Sequence, residues 1–283
     1  MAPLPPPEAA PTGRRTVVSP TSRRSPHVHR FMVAYFDRFF RKHMNALRLA
    51  LWGVPAVPPG AGPVVVYSNH PAWWDAAVYI LAADRLLPDH ESYAPIDAAM
   101  LQRYGVFGRI GAFGVDLETA RGAAAFLKAG ADILSRRDRA LWITAQGRFV
   151  DNRQRPLGVK PGVARLPEIA PDALVLPLAI EYGFWMERGG EAFIAFGAPM
   201  RARDLLDLPR PQRLARLEDA LTQTLERLQD DVSSRDPARF RSVLEGRAGI
   251  GGIYDGWRRF AAALRGRRFD ASHGAAAREK PTA

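Results

Sequence analysis

"VVVYSNHPAWWDAAVYIL" occupies residues 64–81 and divides at Asn69-His70-Pro71. Its first part is apolar and β-branched, as a buried strand requires, and its second part resumes with helical spacing. Pro71 disfavours the α region at His70 and suits the first helical position. The stretch therefore predicts a strand, His70 at a helix N-cap, and a helix over 72–87 with Asp75 near its second turn. An imidazole at such a junction, with a carboxylate in reach of Nδ1, is the pair a general base needs. The carboxylate orients the ring and stabilises the charge that arises when Nε2 takes a proton. Proton transfer of this kind is typically worth about 10²–10⁴ in rate. The same residues also fit a capped helix with a satisfied histidine. His70 and Asp75 form the only His-x₄-Asp pair in the chain.

Outward from this junction the chain alternates strand and helix signals. "SYAPI" reads as a short strand and 97–104 as a helix. "GRIGAFGVD" reads as a strand, "TARGAAAFLKAGADILSRR" as a helix and "RALWITAQG" as a strand. "DALVLPLAIEYG" and "EAFIAFGAP" are further strands. "PQRLARLEDALTQTLERLQDDV" follows as a helix with Leu214, Leu217, Leu221, Leu225 and Leu228 on one stripe. Alternation of this kind predicts an α/β domain around a single mixed sheet over 54–232. No internal repeat is present.

With 283 residues, the chain has room for one substantial domain with extensions. Cysteine is absent, which excludes a disulfide framework, a cysteine nucleophile and a thiolate metal site. The remaining histidines lack metal-ligand spacing, so no metal and no bound cofactor is expected. "MAPLPPPEAAPTGRR" has no apolar signal-peptide core, and no run approaches the roughly 20 apolar residues that span a bilayer. A cytoplasmic protein is the expectation.

The net charge of +11 sits on the flanks: +7 over residues 1–53, −2 over 54–232 and +6 over 233–283. Residues 1–26, rich in Pro, Ser, Thr and Arg, read as a disordered tail. Residues 27–53 read as a basic amphipathic helix running from Val28 to about Ala50, with Phe31, Tyr35, Phe36, Phe39 and Phe40 among its apolar positions. Such a helix either packs on its own domain or lies in a membrane interface. Residues 233–283 form a basic C-terminal extension with a helical, aromatic stretch around 254–266. Basic aromatic flanks point to an anionic lipid surface, on which the protein sits peripherally at the cytoplasmic face. The central domain carries no nucleic-acid recognition module, so no nucleic acid is expected as a partner.

"NHPAWWD" resembles the N-H-x₄-D first block of the glycerolipid acyltransferases, the group that includes the lysophosphatidic acid acyltransferases. Blocks like the family's other three follow in order. "GAFGVDLETARG" stands where a glycine-rich apolar run ending in Asp-Arg is expected, and "WITAQGRFVDNR" where Phe-Pro-Glu-Gly-Thr-Arg is expected. "VLPLAI" matches the apolar-proline fourth block, and "KPGVARL" resembles the stretch between the third and fourth. The likeness covers roughly residues 64–200 and implies a single acyltransferase-type domain. It implies His70 as base, Asp75 as its partner, and Asn69, Asp116, Arg121, Gln146, Gly147 and Arg148 as substrate-binding positions. An acyl-CoA or acyl-carrier-protein thioester would be the co-substrate.

The chain departs from the family at two places. Leu117 follows Asp116 where the family has Arg, with Arg121 the nearest cation, and Gln146 stands where the family has Glu. Losing a bidentate Arg removes a phosphate fork. The expected acceptor is therefore a lipid hydroxyl or amine other than simple glycerol 3-phosphate. An acyltransferase-fold protein without catalysis, serving as a membrane-binding scaffold, is the alternative.

Overall fold

The computed structural model describes residues 19–116 and 119–246. In chain order its elements are α1 (Pro20–Arg23), α2 (Pro26–His43), β1 (Ala46–Ala50), β2 (Val64–Ser68), α3 (Asp75–Leu86), β3 (Glu91–Asp97) and α4 (Ala98–Arg103). They continue with β4 (Ala112–Val115), α5 (Ala120–Ile133), β5 (Arg139–Thr144), α6 (Leu166–Ile169), β6 (Leu174–Gly183) and β7 (Glu191–Phe196). The described chain closes with β8 (Met200–Arg201), α7 (Ala202–Leu205), α8 (Arg210–Ser234) and β9 (Phe240–Glu245).

The strands form one mixed nine-stranded sheet in the order β4-β3-β5-β2-β6-β7-β1-β9, with β8 on the first residues of β6. β4, β3, β5, β2 and β6 run parallel, so their carboxyl ends share one edge. β7 returns antiparallel to β6, β1 runs parallel to β7, and β9 closes the edge antiparallel to β1.

Period-two alternation sorts the strand side chains between two cores. Val64 and Val66 of β2, Trp142 of β5, and Leu176, Leu178 and Ile180 of β6 face α3 and Phe40 of α2. Val65, Tyr67, Leu141 and Ile143 face α5, α6 and α8. The expected leucine stripe of α8 lies against this second face, and Leu217, Leu221, Leu225 and Leu228 are fully buried. Burial of this kind contributes roughly 1.5–3 kcal/mol per leucine.

Both flanks of the 54–232 span differ from expectation. The helix expected over 28–50 ends at His43, where Met44 turns extended, and 46–50 is the strand β1. Leu47 and Leu49 are buried on one face while Arg48 between them reaches Glu191 at 2.5 Å. That is a two-residue alternation, which five residues next to a helical pattern do not separate from a 3.6 period. The C-terminal extension likewise contributes β9 to the sheet, paired to β1 from Phe240↔Ala50 to Glu245↔Ala46.

Residues 19–26, read as part of a disordered tail, are also placed. Ser19 and Thr21 hydrogen-bond the Asp132 carboxylate of α5, and Pro20 is buried. The rest of that tail and the helix expected around 254–266 lie outside the described residues. A shorter correction concerns "GRIGAFGVD": only 112–115 is strand, and Gly105–Ile110 forms a 3₁₀ helix.

α2 starts on a Ser25 cap with Pro26 in its first turn, and ends in Arg41, Lys42 and His43 where the helix dipole favours cations. Met32, Phe36 and Phe40, four residues apart, are its buried stripe. Phe31 and Tyr35 are exposed.

Candidate active site

β2 and β5 are neighbours in register, Ser68 opposite Thr144. Two residues past each strand end lie His70 and Gln146. The sheet therefore brings together residues 76 positions apart: the His70 backbone N–H donates to Gln146 Oε1 at 2.7 Å. Val150 N–H returns to the His70 carbonyl at 3.0 Å, closing the loop after β5 over the loop after β2.

His70 is not the helix N-cap that the sequence leads one to expect. α3 begins at Asp75, and residues 71–74 form a turn in which Asp75 N–H reaches Ala72 O at 3.2 Å. The turn folds the aspartate back on the histidine. His70 Nδ1 lies 2.6 Å from Asp75 Oδ2, and Ala72 N–H approaches the same oxygen at 3.3 Å. The Asp75 side chain is 1% exposed and that of His70 is 20% exposed. A carboxylate only accepts, so Nδ1 carries the proton and Nε2 keeps its lone pair. Asp75 also sits at the positive end of the α3 dipole, which favours its charge.

The other Asp75 oxygen takes a hydrogen bond from Tyr182 Oη at 2.6 Å. Burial, with the Asp75 charge beside it, holds the Tyr182 phenol well above its ordinary range, so it is a neutral donor at working pH. Tyr182 has no sequence signal of its own. Its position on β6 provides one: it shares parity with Leu176, Leu178 and Ile180, which face α3.

Asn69 and Gln146, expected among the substrate-binding residues, spend their polar atoms inside the protein. Asn69 is fully buried. Its Oδ1 accepts from Ile180 N–H at 2.9 Å, and its Nδ2 donates to Ile180 O at 2.7 Å and Asn152 Oδ1 at 2.6 Å. Asn152 Nδ2 reaches the same Ile180 carbonyl at 2.9 Å. This amide pair locks the His70 loop to β6, and Asn152 was not singled out from sequence.

Gln146 is 2% exposed; its Nε2 donates to Leu157 O at 2.7 Å while its Oε1 holds the His70 backbone. Those two bonds require one acceptor and one donor on the same side chain. A glutamine supplies both and an ionised glutamate does not. A glutamine at this position, where the resembled block has glutamate, thus has a local reason.

Gly147 follows at φ +65°, a left-handed turn that suits glycine. It aims Arg148 and Phe149 outward, both exposed. The Phe149 ring lies 4.4 Å, centroid to centroid, from the His70 imidazole, an apolar cover that sequence reasoning did not find.

Asp116 and Arg121 are exposed at the carboxyl end of β4 and in the first turn of α5. β4 stands three strands from β2, roughly 14 Å along the edge at the usual strand spacing. They share the sheet edge with His70 but not its cluster. Gly122 allows this turn: a Cβ there would meet Asp116 O at 1.7 Å.

Among the described residues no group of His, Cys, Asp or Glu is arranged to hold a metal ion. Compared with the models of known protein families the chain matches none, and a search of curated proteins returned no match.

Proposed function

We propose that this protein is a membrane-associated O-acyltransferase that moves an acyl group from a CoA or carrier-protein thioester to a hydroxyl, or amine, of a lipid acceptor. The observation that carries the proposal is the buried Asp75 carboxylate 2.6 Å from Nδ1 of a partly exposed His70 at the carboxyl edge of a parallel sheet. The four motif-like blocks, in family order, add to it.

In this reading Nε2 of His70 takes the acceptor proton as the acceptor oxygen attacks the thioester carbonyl. Asp75 holds the ring and balances the imidazolium. Collapse of the tetrahedral intermediate breaks the C–S bond, and the imidazolium returns its proton to the thiolate, leaving an ester and a free thiol. Gln146, Asn69 and Asn152 fix the His70 backbone and do not touch the acceptor. Arg148 is the exposed cation nearest in sequence to this cluster, and Arg121 with Asp116 lies farther along the edge. An acceptor whose polar head spans that distance fits better than glycerol 3-phosphate.

Membrane association rests on an aromatic strip next to the site. Phe31 and Tyr35 of α2 and Trp73 beside the dyad are all exposed, and Phe39 joins them, 6.0 Å from Tyr35 and 6.2 Å from Trp73. No helix among the described residues is long and apolar enough to cross a membrane. A peripheral position on the cytoplasmic face, with the aromatic rings in the lipid interface and basic flanks on anionic headgroups, accounts for both features.

The test is an acyl-transfer screen read by lipid mass spectrometry. Purified protein and His70→Ala receive acyl-CoA or acyl-carrier protein with a panel of lyso- and glycolipid acceptors. A product mass that disappears in the variant is expected. Intact thioester with every acceptor, and vesicle binding retained, would favour the non-catalytic scaffold.

A further inference from the structure

A cavity adjoins the turn that carries the dyad. It has a volume of about 1070 Å³ and lies where the end of α2, the β6–β7 hairpin and the last turns of α8 meet. That is at the upper end of the roughly 300–1,000 Å³ typical of small-molecule sites. Pro71, Ala72 and Trp74, between the two members of the dyad, are in its wall, but His70 is not. Tyr182 is, and through its hydroxyl on Asp75 the cavity adjoins the back of the dyad, while Phe149 covers the imidazole.

The cavity wall has an apolar part and a charged part. Met44, Trp74, Phe184 and Val232 line the apolar part, and Phe184 is 70% exposed. The acids of the wall are already engaged. Asp151 holds Arg153 at 2.7 and 2.9 Å, and Glu181 accepts from Gln229 Nε2 at 2.8 Å. The wall cations Lys42 and Arg188 are exposed and make no ion pair with the described residues. Cations without an ion-pair partner among the described residues, beside an apolar trough, complement a molecule with an anionic head and a hydrocarbon body.

We infer that this cavity is a binding site for a single-chain anionic amphiphile, with its carboxylate or phosphate at Lys42 and Arg188 and its chain against Met44, Trp74 and Phe184. The site is separate from the reacting face of His70 and goes beyond the proposed transfer reaction. Its occupant lies against Tyr182 and so reports to Asp75 without touching the base.

Trp74 in the wall provides the probe. Full-length protein is titrated below the critical micelle concentration with 9,10-dibromostearate, with a lysophosphatidate carrying the same brominated chain, and with the neutral brominated monoacylglycerol. Tryptophan quenching is the readout. Saturable quenching by at least one anion is expected, with the neutral analogue and Lys42→Glu/Arg188→Glu each roughly tenfold or more weaker, as loss of charge-assisted contacts implies. The stronger of the two anions identifies the head group. Trp74→Phe should remove most of the quenching, and His70→Ala should leave affinity unchanged. Equal affinity for anion and neutral analogue, charge reversal without effect, or full quenching in Trp74→Phe would each overturn the inference. Binding needs no turnover, so a protein that transfers no acyl group but binds as described refutes only the enzymatic reading.

Discussion

Replacing Gln146 by glutamate restores the residue carried by the family block that this stretch resembles, and the structure predicts that the change harms the protein. The amide accepts from the His70 backbone and donates to the Leu157 carbonyl at 2.7 Å each, at 2% exposure. An ionised glutamate in its place keeps the first bond and loses the second. Leu157 O is left facing a carboxylate oxygen, and an unsatisfied buried polar group costs about 1–3 kcal/mol before the burial of charge is added. A total of roughly 2–4 kcal/mol at neutral pH follows. Once protonated, the introduced carboxyl can donate its O–H to Leu157, so acid relieves the penalty. At about 1.36 kcal/mol per unit, that total raises the folded-state pKa of the new side chain by about 1.5–3 units above the ordinary glutamate value near 4.3. Because the folded variant then binds its proton more tightly than the unfolded chain, its deficit relative to wild type is absent below about pH 4. It grows as pH rises and is complete above about pH 7. Urea unfolding of both proteins at about pH 4.5, 6 and 7.5, with equal m-values, measures this. A Gln146→Glu deficit that is zero, or that does not change with pH, would refute the assigned donor and acceptor roles.

Asp75→Asn should leave the fold intact by circular dichroism but lower kcat for acyl transfer by about 10²–10⁴, because the ring loses both its fixed tautomer and its counter-charge. Asn69→Ala strands the Ile180 N–H and an Asn152 oxygen in a fully buried site. It should cost about 2–4 kcal/mol in urea unfolding, and an unchanged midpoint would contradict the clamp. Tyr67, Tyr79 and Tyr182 are held above the ordinary tyrosine range chiefly by burial, and burial pushes Tyr93 to about 12. Their folded pKa values are raised, so stability is complete below about pH 10 and falls as pH rises beyond it, by up to about 1.4 kcal/mol per pH unit for each tyrosine. Tyr182→Phe should make that alkaline slope shallower, read by unfolding at about pH 9–11.

The strand–turn–helix at 64–86 is legible because its signals are local: a β-branched run, a proline and a helical period lie within one another's reach. The His70/Asp75 pair is legible for the same reason, since both members ride on one short segment. Its geometry was not, because the helix starts at Asp75 and the intervening turn, not an N-cap, brings the carboxylate to Nδ1. β1 and β9 escaped notice because each is a short strand beside a helical or basic pattern. Their pairing partners lie far away: Leu47 meets Ala192 on one side and Leu244 on the other.

What the amino-acid sequence by itself determined is the alternation of strand and helix over the central span, the single mixed sheet and the two residues of the dyad, all carried by periodicity and spacing over a few residues. Only the tertiary structure decided what surrounds them. Gln146, Asn152 and Tyr182 reach the His70 segment across 76, 83 and 107 positions of sequence. Strand order alone, β5 on one side of β2 and β6 on the other, makes them neighbours. The same order carries Asp116 and Arg121 away to β4. Adjacency in a parallel sheet is set by which strands pair, and no local pattern encodes that choice.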